Sequence, residues 1–91
     1  MPVQMVTYDL RKPGQDYTGL FDAIETLGPS WHCLQSVWLV NTPLASAQVR
    51  DALRGHLHAN DSLLVAALSG NWATVGLSSD CTGWLREFLA A

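Results

Sequence analysis

Apolar residues fall along this chain in blocks of two spacings. Residues 3–9, VQMVTYD, are β-branched or aromatic at several positions and apolar on both sides of a period-two pattern. That predicts an interior strand covered on at least one face. Pro13 and Gly14 break the run, and Asp16 stands where a helix N-cap is expected. Residues 17–27 place Tyr17, Leu20, Phe21, Ile24 and Leu27 on one helical face, and Gly28-Pro29 stops the helix. Residues 31–41, WHCLQSVWLVN, are extended in pattern. Trp31, Cys33, Gln35, Val37 and Leu39 face one way, and His32, Leu34, Ser36, Trp38 and Val40 the other. The length of this stretch predicts a bend, a bulge or a tight hairpin within residues 35–40, although no Asn-Gly or Asp-Gly marks the turn.

A second helix is predicted over residues 47–58, capped by Ser46, with Val49, Ala52, Leu53, His56 and Leu57 inward. Asn60-Asp61 then turns the chain into a continuously apolar strand, residues 62–68. Ser69-Gly70-Asn71 is a turn signal, and residues 72–77 are a short strand or an irregular segment. Ser79 or Asp80 caps a last helix whose inward residues are Trp84, Leu85, Phe88 and Leu89. If residues 31–41 fold back on themselves, the core order is β-α-β-β-α-β. The expected class is therefore α+β, a ferredoxin-like split sandwich with an antiparallel sheet and a C-terminal helical extension. The expectation is one domain over residues 1–91, with its core at 3–68 and the extension at 69–91. A doubly wound three-strand α/β unit is the alternative, and it keeps residues 31–41 as one strand.

Composition adds a constraint. Only 14% of the 91 residues are charged while 48% are hydrophobic, against about 25% charged in an ordinary soluble domain. Five Lys and Arg with eight Asp and Glu are too few to coat the surface. A twofold homodimer that hides apolar surface is the simplest remedy. The net charge of −3 argues against general affinity for nucleic acid, leaving local basic pairs at Arg11-Lys12 and Arg50/Arg54. No secretory signal pattern opens the sequence, so Cys33 and Cys81 are read as buried thiols and the protein as cytoplasmic. No apolar run approaches the ~20 residues of a membrane span.

Candidate chemistry centres on Asp9, which closes the first strand with its backbone fixed and its side chain free to reach solvent. One carboxylate holds a hard divalent cation weakly, whereas two brought together across a dimer axis can hold one with water completing the shell. The alternative role for Asp9 is to cap the loop, accepting hydrogen bonds from the backbone N–H groups of residues 11–12. His56 and His58 are two apart, the wrong spacing for a zinc pair on a helix, and no CxxC or HExxH occurs. The serines lack a GxSxG frame. Trp31, Trp38, Trp72 and Trp84 sit in apolar or neutral surroundings and read as core or interface anchors.

Several pieces together resemble a known family. They are TYDL at residues 7–10, LQSVWLV at 34–40, a Thr-Pro connection at 42–43, VRDAL at 49–53 and NDSLLV at 60–65. In this order and spacing the chain resembles the CRISPR-associated protein 2-like proteins, and within them a branch of short bacterial SinR-like proteins. The VapD ribonucleases are similar at greater distance. The resemblance implies a cytoplasmic dimer of ferredoxin-like subunits and a place in antiviral defence. Asp9 matches the acidic residue assigned to magnesium-dependent phosphodiester cleavage in members that are nucleases, while Tyr8, Ser36 and Trp38 match the family motif. Such an endonuclease, acting on RNA, would use Arg11 and Lys12 on phosphate. Asp22 and Glu25 stand where nucleic-acid-handling members carry basic residues. Two expectations follow: a magnesium-dependent endoribonuclease acting as a dimer, or a non-catalytic dimeric scaffold that binds a protein partner.

Overall fold

The computed structural model describes residues 3–11 and 17–89. The elements are β1 (Val3–Asp9), α1 (Thr18–Thr26), β2 (Ser30–Leu34), β3 (Val37–Asn41), α2 (Ser46–Arg54), β4 (Ser62–Leu68) and α3 (Ser79–Phe88). The four strands form one antiparallel sheet in the order β2-β3-β1-β4. The class is α+β, with three helices on a four-stranded sheet.

The extended stretch resolves as a hairpin, so it is not one strand. Gln35 and Ser36 make the turn, and β2 runs back along β3 with Trp31 opposite Leu39 and His32 opposite Trp38. A two-residue connection preserves the alternation predicted for most of the stretch. An irregularity between His32 and Leu34 then shifts the pairing, so Leu34 meets Val37. Both the hairpin and the bulge are present.

The period-two pattern of β1 explains why the sheet has two occupied faces. Val6 and Tyr8 join Trp38 and Val40 on one face, where Leu20 and Ile24 of α1 and Val49 and Leu53 of α2 cover them. Val3 and Leu39 lie on the opposite face beneath Cys81, Trp84, Leu85 and Leu89 of α3. The C-terminal extension is therefore the third layer of the fold. After α1 the chain passes so close to β3 that a Cβ at Gly28, whose φ is +153°, would collide with the carbonyl oxygen of Asn41. Pro29 O meanwhile accepts a hydrogen bond from Asn41 N at 2.8 Å.

Several local expectations are corrected. Helix α2 begins at Ser46 and does not use it as a cap, because the Ser46 hydroxyl donates to Oε1 of the buried Gln4 at 2.7 Å. Gln48 Oε1 instead accepts from Ala45 N at 2.8 Å. The helix stops at Arg54, four residues early, and of the residues expected inward Ala52, within it, and His56, beyond it, are exposed. Ser78, one residue before the expected position, caps α3 by accepting from Cys81 N at 3.2 Å. Of the two alternatives for residues 72–77 the irregular segment is the one observed, and Trp72 donates from Nε1 to Leu89 O at 2.6 Å. The Asp16 cap lies outside the described residues. Of the tryptophans, Trp38 and Trp84 are core, while Trp31 is 40% exposed.

The cysteines are also corrected. Cys33 of β2 and Cys81 of α3 are joined in a disulfide with Cα atoms 5.5 Å apart. The argument from free thiols to a reducing compartment loses its support. No helix among the described residues is long and apolar enough to cross a membrane.

Two surfaces stay open. On the α3 side of the sheet, α3 covers Val3 and Leu39 but leaves Leu64 58% exposed, beside half-buried Thr7 and Val37. The outer margins of the sheet differ as well. That of β2 is five residues long and interrupted by its bulge, whereas β4 offers seven regular residues, SLLVAAL, without charge or proline.

Replacing both cysteines, Cys33→Ala with Cys81→Ala, is expected to lower the unfolding free energy by roughly 4 kcal/mol, the chain-entropy value for a loop of 48 residues. Urea unfolding of this variant against the oxidised protein measures the change. A loss below about 1 kcal/mol would show that the tether contributes little.

Candidate functional site

Asp9 is the last residue of the central strand, with Ser62 of β4 opposite it. On its other side the ladder continues into the hairpin turn, where Ser36 O accepts from Tyr8 N at 3.2 Å. This pairing brings three of the motif positions together. Tyr8, Asp9 and Ser36 line one hollow of about 350 Å³ with Leu10, Phe21 and Gln35. A second hollow, of about 250 Å³, runs from Thr7, Tyr8 and Asp9 to Ser62 and Leu64. Asp9 thus stands on the ridge between two depressions, on the margin of the open strip around Leu64.

Its carboxylate already has a cation. Arg11 donates to Asp9 Oδ2 from Nε at 2.9 Å and from Nη2 at 2.6 Å. The side chains are 63% and 58% exposed, and a pair in water contributes only about 0.2–1 kcal/mol. Arg11 can therefore leave Asp9 at little cost. Lys12, the other expected phosphate contact, lies outside the described residues.

Behind Asp9 the motif aromatics form a supporting wall. Trp38 donates from Nε1 to the Tyr8 hydroxyl at 3.2 Å, and the His32 ring lies on Trp38 with centroids 4.4 Å apart and planes 12° from parallel. Phe21 contacts both Tyr8 and Trp38, at 6.0 and 5.9 Å between centroids. Burial raises the Tyr8 pKa above its ordinary value, and the Trp38 hydrogen bond offsets part of that. Tyr8 is accordingly a neutral phenol that anchors the end of β1.

The loop-capping role belongs to Asp61. Its Oδ1 accepts from Arg11 N at 2.8 Å and its Oδ2 from His58 N at 2.8 Å, while the Tyr17 hydroxyl donates to both oxygens, at 3.0 and 2.8 Å. One carboxylate therefore ties the exit of β1, the entry of α1 and the turn before β4. Desolvation pushes its pKa up, but the hydrogen bonds from Arg11, His58 and Tyr17, with the nearby charge of His58, outweigh it and hold the carboxyl below the usual range. A trace of this was legible beforehand: an Asp in a turn bonds backbone N–H groups close by in sequence, here three residues back. That it also reaches Arg11, 50 residues away, depends on β1 and β4 being neighbours.

Asp9 is a lone carboxylate with one oxygen taken by a guanidinium, and Asp61 is committed to three donors. Among the described residues no three His, Cys, Asp or Glu side chains converge. The chain matches no protein-family model, no curated protein and no solved structure at a level of similarity that carries an argument.

Because its folded pKa is depressed, Asp61 contributes stability that is fully present above the ordinary carboxylate value and lost as pH falls through the folded value. Asp61→Asn should be less stable than the native protein at neutral pH, and the gap should narrow towards about pH 2. Urea midpoints of both proteins across that range check the sign, and a gap independent of pH would contradict it.

Proposed function

We propose that this protein is a dimer-forming, non-catalytic interaction module on the ferredoxin-like split plan, of the CRISPR-associated protein 2-like and SinR-like kind that its motifs resemble. The strand order β2-β3-β1-β4 and the element order β-α-β-β-α-β support the plan, with α3 as an added layer. One observation carries the functional reading. A charge-poor chain leaves Leu64, 58% exposed, on the edge strand of an open sheet strip that continues through half-buried Thr7 to Val37. Burying a leucine side chain contributes about 1.5–3 kcal/mol, and a twofold contact buries two at once. The engaged Asp9 agrees with this, since a module needs the carboxylate only as a solvated ion pair.

Light scattering should give native protein twice the 9.9 kDa chain mass, and Leu64→Glu should return it to the monomer with an unchanged helical spectrum. A native monomer at micromolar concentration would sink the dimer.

A second reading, the magnesium-dependent endoribonuclease, is favoured by the place of Asp9 on the margin of that same strip. Two copies meeting there bring two carboxylates towards each other, and Arg11 is cheap to release towards phosphate. On this reading Asp9→Ala folds normally and loses all magnesium-dependent RNA cleavage. Native protein free of contaminating nuclease that cleaves no RNA, or a variant as active as native, removes it.

A further inference from the structure

A cleft of about 470 Å³ lies apart from Asp9, between α1 and the β2–β3 hairpin, lined by Glu25, Ser30, Trp31, His32 and Trp38. Its walls are held rigid. Trp38 is buried, with Phe21 at 5.9 Å and His32 at 4.4 Å, and the Phe21 and His32 rings are themselves 5.9 Å apart. His32 Nε2 is fixed against the Gln35 carbonyl at 3.0 Å. The exposed His32 ring therefore offers a flat aromatic surface whose orientation is set in advance. Trp31, 40% exposed and opposite Leu39, belongs to the α3 face of the sheet and only borders the cleft.

The charge at this cleft has one sign. Glu25 is exposed and has no ion-pair partner among the described residues, whose salt bridges engage Arg11, Arg50 and Arg54 with Asp9 and Asp51. Among the described residues no Lys or Arg lines the cleft. A phosphate or carboxylate ligand would meet Glu25 with nothing to compensate it. A planar cation meets both features, because a guanidinium stacks on flat rings and presents paired N–H donors to a carboxylate. An ammonium group has the charge but not the plane.

We propose that this cleft takes the arginine side chain of a protein partner, stacked on His32 and paired with Glu25. The proposal rests on the interaction-module reading for the partner being a protein, while the cleft lies away from the sheet strip assigned to the dimer.

The test is a titration of native protein with Nα-acetyl-arginine amide, followed by the NMR signals of the His32 ring and the Trp38 indole N–H. Saturable shifts are expected, with Nα-acetyl-lysine amide needing roughly tenfold more for the same occupancy. Glu25→Gln should weaken arginine binding by up to about fivefold, the worth of one exposed ion pair. Glu87→Gln, on α3 across the sheet, should leave it unchanged. Non-saturable shifts, equal response to the lysine compound, or a Glu25→Gln variant that binds like native would each overturn the proposal. Light scattering on the same samples separates the two readings: binding lost with the dimer intact rejects only the cleft, and a monomer that still binds rejects only the dimer.

Discussion

The fold is organised around β1 being paired along both edges and sending buried side chains into the cores on both faces. Strand β3 runs along one edge and β4 along the other. Alternate side chains then reach two separate cores, Val6 and Tyr8 into one and Val3 into the other. A strand so enclosed cannot slip by one residue without exchanging its two sets of side chains. Its end is therefore a fixed point. Asp9, the Ser36 carbonyl and the aromatic wall behind Tyr8 hold their places because of it.

The parts of the fold that follow from local periodicity were legible in the sequence. Leu20 and Ile24 on α1, Val49 and Leu53 on α2, and Trp84 and Leu85 on α3 point inward as their spacing demands. What depended on partners distant in the chain was not legible. Ser46 has the side chain of a cap, but Gln4, 42 residues away, takes its hydroxyl. Cys33 and Cys81 carry no spacing signal, and only the seating of α3 on the second face brings their Cα atoms to 5.5 Å.

The site divides the same way. The motif positions Tyr8, Asp9 and Ser36 meet because a strand end and a hairpin turn are hydrogen-bonded neighbours. The loop carboxylate that sequence logic assigned to Asp9 is supplied by Asp61, since Asp9 faces its own guanidinium two residues on. Trp31 and Trp38, both expected to be anchors, have different fates. Trp38 is enclosed by Phe21 and His32, whereas Trp31 alternates onto the edge strand and keeps much of its surface in water.

The unequal margins of the sheet carry a last consequence. On the β2 side a short, irregular strand is spoiled as a template, while the β4 side presents seven uninterrupted, uncharged residues. Main-chain recruitment is therefore one-sided. Any neighbour added there meets a molecule whose far border is sealed, so growth by this route ends with a finite complex and does not propagate into a fibre.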